Sequence, residues 1–201
     1  MVTNDTGDVF LKWLVFMIEV IPAILAENES DLSLKLKEIP SEFKLVHIDV
    51  LKKDIWTETN LNFEAHLMVS HPEEIVETWI KRGATKIIVH ELNDKINSFR
   101  GRVEIGLAVE LHVPLEKVFP FVSKIDFLHL MSIATIGKQG NPLDERIFDR
   151  IKIVREKFPT LVISVDGGVN VTNFEKLKQV GVDRFVVGSG FKDLWKSLTK
   201  N

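Results

Sequence analysis

The segment at residues 44–90, KLVHIDVLKKDIWTETNLNFEAHLMVSHPEEIVETWIKRGATKIIVH, shows most clearly how this chain is expected to fold. It holds three short apolar runs, residues 44–50, 63–69 and 86–90, which are typical of buried strands. A helical pattern at residues 71–83 joins the last two runs, with Pro72 in its first turn and Gly83 where a helix ends. Strand, helix and strand in this order form the repeating unit of a parallel sheet.

The same alternation extends on both sides of this stretch. Further strand-like runs lie at residues 19–25, 104–109, 126–131, 161–165 and 184–187, and further helical patterns at residues 143–158 and 171–181. Eight β/α alternations in one domain predict an α/β fold, the closed (β/α)8 TIM barrel. An open doubly wound sheet is the alternative, but it favours a glycine-rich turn after its first strand, where this chain reads AENESD.

One connection in this pattern is unusually short. Residues 51–62 alone separate the second and third runs, and a parallel crossover with its helix needs at least about 10–12 residues. We therefore expect helix 2 to be missing or much shortened. The outer faces of the two flanking strands would then need another cover, at Val46, Ile48, Val50 and Leu67. Either the apolar segment at residues 9–16 or a second subunit is expected to supply it, with a dimer favoured.

Composition excludes several classes of function. The chain has 201 residues, 45% hydrophobic and 27% charged, with a net charge of -3 and no cysteine. A basic surface for nucleic acid is therefore not expected, and disulfides and thiolate metal sites are excluded. Residues 9–25 are apolar but are interrupted by Lys12, Glu19 and Pro22, so we expect neither a membrane span nor a signal peptide. We interpret residues 1–16 as an extension and residues 17–201 as one cytoplasmic barrel domain.

Histidines and carboxylates cluster at the carboxyl ends of the predicted strands, where barrel active sites lie. His47 and Asp49 share one face of the second strand, and His66 has inward parity on the third. Asp166 ends the seventh strand. Nitrogen and oxygen ligands of this kind suit Zn²⁺ or Fe²⁺, and also Mn²⁺ or Co²⁺. For either histidine taken alone, a hydrogen-bonded structural role is the simpler interpretation. The carboxylates beside them favour a metal site, because buried carboxylates are rare unless they are paired or bound to metal.

The other histidines give weaker signals. His90 ends a strand, but its neighbour Glu91 has opposite parity, so a structural role is favoured. His71 precedes Pro72 and is interpreted as a helix N-terminal residue. Neither His112 nor His129 has a clustered partner in the sequence, so both are interpreted as structural or exposed.

Glycines follow the last two strands, in Asp166-Gly167-Gly168 and Gly188-Ser189-Gly190. A single glycine-rich turn of this kind is explained equally well by a tight bend of the backbone. Two on consecutive strands, with the Ser189 hydroxyl as a further donor, favour a phosphate site, since backbone N–H groups then point at the anion.

These motifs together resemble the ribulose-phosphate 3-epimerase family. The resemblance rests on segments that occur in order, Pro22-Ala-Ile-Leu25, His47-Ile-Asp-Val50, His66-Leu-Met-Val69, Met131-Ser132, Val165-Asp-Gly-Gly-Val-Asn170 and Gly188-Ser189. It implies a (β/α)8 barrel that converts D-ribulose 5-phosphate to D-xylulose 5-phosphate through a metal-stabilised enediolate.

The resemblance also implies roles for particular residues. The family's metal ligands fall on His47, Asp49, His66 and Asp166, with Asp49 and Asp166 as the two acid/base groups. The residues that match its substrate and phosphate contacts are Met68, Met131, Gly137, Lys138, Gly167, Gly168, Gly188 and Ser189. Family members often form oligomers, which is a further reason to expect a dimer.

This chain departs from the family pattern in its loops. It has Ala23 for a usual serine, Leu51-Lys52-Lys53 for Met-Asp-Gly, and Ala134-Thr-Ile-Gly-Lys-Gln139 for Asn-Pro-Gly-Phe-Gly-Gly-Gln. The substrate is thus open between a ketopentose and a ketohexose phosphate. A barrel that binds phosphosugars with impaired catalysis is one alternative. A decarboxylase or aldolase of a related phosphate-binding group is another, but its Asp-x-Lys-x-x-Asp motif would need lysine at Leu51.

Overall fold

The chain closes eight parallel strands into a barrel in a computed structural model that describes residues 18–199. The strands are β1 (Glu19–Leu25), β2 (Leu45–Val50), β3 (Asn62–Leu67), β4 (Ala84–Val89), β5 (Glu104–Val109), β6 (Phe127–Met131), β7 (Val162–Asp166) and β8 (Arg184–Val187). They pair in chain order, and β8 pairs with β1 to close the sheet. The predicted TIM barrel is confirmed. The predicted extension at residues 1–16 lies outside the described residues.

Helices follow most strands and pack outside the barrel. They are α1 (Glu29–Lys37), α2 (Pro72–Lys81), α3 (Asp94–Asn97), α4 (Arg146–Lys157), α5 (Phe174–Gln179) and α6 (Phe191–Leu198), with two 3₁₀ turns (Leu115–Lys117 and Phe119–Lys124) before β6. Pro72 occupies the first turn of α2, and Gly83 follows that helix with φ +103°. None of the helices described is long and apolar enough to cross a membrane.

The connection between β2 and β3 contains no helix at residues 51–61, as expected from its length. The expectation that its flanking strands need an outside cover is wrong. Val46 and Leu67 are fully buried (0% exposed), Ile48 is 2% exposed and Val50 is 3% exposed. The connection itself supplies the cover, because its apolar side chains pack with α1 and α2 over these strands.

Two contacts hold this connection in place. The Trp56 ring lies 5.0 Å from Phe63 and 5.5 Å from Trp79 between ring centroids. The Arg82 guanidinium donates to both carboxylate oxygens of Asp54, at 2.6 and 2.9 Å. An irregular segment thus covers the area that a helix covers elsewhere on the barrel.

The barrel interior is unusually polar. Outward side chains of the strands pack with the helices in two apolar clusters. The inward positions also carry buried polar residues, among them His47, Glu64, His66, His129, Ser164 and Arg184. Buried polar groups cost free energy unless they are partnered, so the contacts among them are the key to what this barrel does.

Candidate metal and active site

His47 is oriented by a carboxylate below it in the barrel. Its Nδ1–H donates to Glu64 Oε1 at 2.7 Å, and its Nε2 lies 3.2 Å from Asp49 Oδ1. Although burial opposes the charged imidazole, the hydrogen bonds with Asp49 and Glu64 raise the pKa of His47 to about 10. The Glu64 contact leaves Nε2 as the atom that faces the mouth of the barrel.

His66 faces the same point from β3. Its buried Nδ1 has no hydrogen-bond partner among the described residues and lies 3.5 Å from Asp49 Oδ1 and 3.7 Å from Asp166 Oδ2. Its other nitrogen, Nε2, lies 3.0 Å from Nε2 of His90, whose Nδ1 lies 3.4 Å from Glu110 Oε1. Burial and the charge of His66 lower the pKa of His90 to about 4. His90 is thus a neutral acceptor that fixes the orientation of His66.

His129 belongs to this cluster, which corrects its interpretation as a residue without a partner. It is fully buried, and its Nε2 lies 3.3 Å from Asp166 Oδ2. Its ring stacks on His47 with centroids 5.5 Å apart. The sequence carried a signal for it, because His129 lies two residues before Met131 on β6 and therefore shares its inward face.

The two carboxylates at the barrel mouth have different electrostatic environments. Although burial favours the neutral form, contacts with His47 and His66 hold the pKa of Asp49 below its usual range. Burial, together with the negative charge of Asp49, raises the pKa of Asp166 to about 6. Both side chains keep some solvent contact, with 13% and 14% exposed. They lie on β2 and β7, three strands apart around the barrel.

The donor set fits a divalent cation. Ligand atoms of His47, His66, His129 and Asp166 all lie within 4.8 Å of one another. The Nδ1 atom of His66 points among these atoms, and no hydrogen bond from the described residues satisfies it. Imidazole and carboxylate are ligands that Zn²⁺ and Fe²⁺ accept. The cluster is therefore able to hold a metal ion.

A pocket beside this cluster brings together the residues predicted to contact substrate. Asp49 and Asp166 line it, as do Met68, Met131, Gly137, Lys138, Gly167, Gly168, Gly188 and Ser189. The turn after β7 is tight, since Gly168 has φ +68° and an added Cβ would lie 2.3 Å from the Leu143 nitrogen. The first turn of α6 begins after Gly190, which also lines the pocket, so backbone N–H groups border this end of the pocket.

Comparison with known proteins adds a second line of evidence to this geometry. A family model described as the ribulose-phosphate 3 epimerase family matches residues 19–192. The chain belongs to the ribulose-phosphate 3-epimerase family. A member from Schizosaccharomyces pombe is 25% identical over 85% of both chains. One from Chlamydia muridarum is 28% identical over 86% of this chain and 87% of its own.

Membership of the ribulose-phosphate 3-epimerase family places the chain among isomerases, in the class of epimerases that act on carbohydrates. A Bacillus subtilis member, 25% identical, covers 92% of this chain and 98% of its own length. Solved structures with lower identity share the fold alone. KGPDC from Streptococcus mutans has a TM-score of 0.65 at 14% identity, covering 87% of this chain and 89% of that one.

Two charged residues beneath the epimerase-family site were not foreseen from the sequence. Glu64 is fully buried, and its second oxygen pairs with Arg184, which also donates to Glu19 Oε2 at 2.9 Å. Although burial opposes the charged form, His47 and Arg184 lower the pKa of Glu64 to about 2. Glu64 has the same parity as His66, so strand alternation could have indicated its inward position.

Proposed function

We propose that the protein is a metal-dependent epimerase acting at C3 of a ketose phosphate, most simply converting D-ribulose 5-phosphate to D-xylulose 5-phosphate. One observation carries the proposal: two carboxylates from strands on different sides of the barrel line one pocket, between a histidine cluster and a glycine cradle. Epimerisation needs a proton removed from one face of a carbon and returned to the other.

His47, His66, Asp49 and Asp166 are the residues proposed to hold the cation, with Zn²⁺ or Fe²⁺ expected and Mn²⁺ or Co²⁺ as alternatives. When bound, such an ion polarises a carbonyl oxygen and stabilises the negative charge that develops on it. Glu64 and His90 hold the far nitrogens of the two histidines, which fixes the ligand atoms before substrate arrives.

Asp49 and Asp166 are the proposed proton-transfer pair. One carboxylate accepts the C3 proton, the electron pair moves into the adjacent carbonyl, and the other carboxyl group returns a proton to the opposite face. Met68 and Met131 border the reacting carbons as apolar walls, which limit the access of water. Gly167, Gly168, Gly188 and Ser189 are proposed to bind the phosphate through N–H and O–H groups, with Lys138 as a nearby positive charge.

The size of the substrate is a separate question. A second cleft of about 680 Å³ shares Asp49, Met68 and Gly137 with the pocket and is bordered by Lys52 and Lys53 of the helix-free connection. This extra space favours a ketohexose phosphate as the second candidate substrate, since the chain of such a ketose is one carbon longer.

The decisive experiment is hydrogen exchange at C3 in D₂O, with both ketopentose and ketohexose phosphates and the metal-loaded protein. We expect epimer formation with solvent deuterium at C3, and loss of both in Asp49→Asn and Asp166→Asn variants. Asp149→Asn is the control, because that side chain is 82% exposed and remote from the pocket. Binding without exchange would favour the phosphosugar-binding alternative. Full exchange in the Asp166→Asn variant would contradict the two-carboxylate scheme.

A further inference from the structure

His129 presents a ligand atom to the cluster in the manner of the two histidines already discussed. Its Nε2 lies 3.3 Å from Asp166 Oδ2, and its ring centroid lies 4.9 Å from that of His66. Its Nδ1 is hydrogen-bonded to the Ser164 hydroxyl at 3.2 Å. Both His129 and Ser164 are fully buried, so water does not compete for these contacts.

The Ser164 contact leaves Nε2 of His129 able to bind a cation. A serine hydroxyl donates or accepts, as its partner requires. With Nδ1 carrying the proton and donating to the hydroxyl oxygen, the Nε2 lone pair is free to point into the cluster. Metal-bound histidines generally have a partner of this kind on their other nitrogen.

We propose that His129 binds the divalent cation through Nε2, together with the histidines of β2 and β3 and Asp166. The support is mutual distance: these four residues place ligand atoms within 4.8 Å of one another. Asp49 Oδ1 lies 3.2 Å from His47 Nε2 and 3.5 Å from His66 Nδ1, so it stays in the proposed ligand set beside these four. The inference rests on the metal dependence in the proposed function and adds a third imidazole to its ligand set.

A third imidazole ligand also bears on the proposed roles of Asp49 and Asp166. With three imidazoles available, the cation depends less on either carboxylate, so Asp49 and Asp166 both keep their proposed role in proton transfer.

The test counts imidazoles around zinc in the full-length protein. The protein is stripped with a chelator and loaded with one equivalent of Zn²⁺, and X-ray absorption gives the number of histidine ligands. We expect three in the wild type and two in His129→Leu, which keeps a side chain of similar volume. We also expect the zinc affinity of this variant to fall by about 100-fold, the upper end of the loss seen even for indirect partners of a metal. Competition with a chromophoric chelator measures that affinity.

Two further variants separate ligation from packing. His112→Leu alters a histidine that is 76% exposed and is expected to leave affinity and ligand number unchanged. Ser164→Ala removes only the orienting hydroxyl and is expected to weaken zinc binding while three imidazoles remain. His129→Gln replaces His129→Leu in the count if the latter fails to unfold cooperatively.

The outcomes distinguish this inference from the proposed function. A wild-type protein that binds no divalent cation overturns both. A wild-type protein with two imidazoles, or a His129→Leu variant whose affinity and ligand number are unchanged, overturns the role of His129 and leaves the epimerase proposal standing.

Discussion

Each histidine of the cluster has its far nitrogen held by a different partner. Glu64 holds His47 at 2.7 Å, His90 holds His66 at 3.0 Å, and Ser164 holds His129 at 3.2 Å. The partners are a carboxylate, an imidazole and a hydroxyl. Such contacts fix the tautomer and orientation of a ring before any ion binds.

Glu64 is the most sensitive of these partners, because it also pairs with buried Arg184. In Glu64→Gln the arginine loses its buried carboxylate partner and keeps the carboxylate of Glu19, whose side chain is 44% exposed. We expect the free energy of unfolding of the metal-free protein to fall by about 3 kcal/mol, as when one member of a buried ion pair is removed. Zinc affinity should fall about tenfold or more, since Nδ1 of His47 loses its carboxylate partner.

Urea denaturation and chelator competition measure these two effects. Glu77→Gln on α2 is the control, because that side chain is 53% exposed and should change stability by no more than about 0.5 kcal/mol. A Glu64→Gln protein as stable as this control would show that the Glu64–Arg184 pair makes no net contribution to the free energy of unfolding.

At the scale of secondary structure, the helix-free connection after β2 replaces a helix by aromatic packing. Trp56 stands against Phe63 and Trp79, and the Arg82 guanidinium lies 4.9 Å from the Trp79 ring. The connection also borders the second cleft. Its packing therefore matters both for the cover of β2 and β3 and for the shape of the proposed substrate site.

We expect Trp56→Ala to lower the free energy of unfolding by about 2–3 kcal/mol. The loss is smaller than the roughly 3–5 kcal/mol of a fully buried tryptophan, because Trp56 is only partly buried. Leu34→Ala on α1 is a control at a side chain that is 61% exposed. Chemical denaturation measures both, and equal losses in the two variants would contradict the covering role of Trp56.

The turn after β7 permits a second test, at Gly168. Alanine there would strain the backbone and place Cβ against the Leu143 nitrogen. Gly101 is a matched control, with φ +89° and nothing within 4 Å of an added Cβ. Both variants should lose about 1–2 kcal/mol of stability from the left-handed backbone. Gly168→Ala should lose more than Gly101→Ala, because its Cβ would lie 2.3 Å from the Leu143 nitrogen.

Only Gly168→Ala should also raise KM for the ketose phosphate, by about tenfold, which corresponds to about 1.4 kcal/mol of binding. Steady-state kinetics on both variants measure this difference. Equal KM values for Gly168→Ala and Gly101→Ala would argue against a phosphate cradle at this turn.

For the molecule as a whole, barrel closure brings distant parts of the chain together. Arg184 on β8 reaches Glu64 on β3, although 120 residues separate them. The outer faces of β2 and β3 are buried, and side chains of the connection after β2, of α1 and of α2 pack over them. Exposed strand faces therefore no longer support the predicted dimer. The dimer stays a prediction that rests on the family resemblance.

Deletion of residues 1–16 tests the domain boundary. We expect a protein that begins at Met17 to unfold at the same temperature as the full chain, within about 2 °C, since a change below about 0.5 kcal/mol shifts a domain of this size by no more than that. Sedimentation of both proteins measures their mass. A truncated protein that is much less stable would show that residues 1–16 belong to the fold, and a change from dimer to monomer would assign them to the interface.

The sequence by itself determined the fold and much of the proposed site. The hydrophobic periods of strands and helices differ, so the eight strands could be predicted from short segments of sequence. The period-two alternation of side chains placed His47, Asp49 and His66 on the inner face. Chain length was enough to predict that the connection after β2 has no helix. It was not enough to predict that the connection covers β2 and β3, because the packing of Trp56 depends on partners such as Trp79. Only the tertiary structure decided which inward side chains meet, since strand tilt and stagger set the height of each one in the barrel. His129 and Asp166 lie 37 residues apart in the chain and 3.3 Å apart in space, a distance set by the register of β6 against β7.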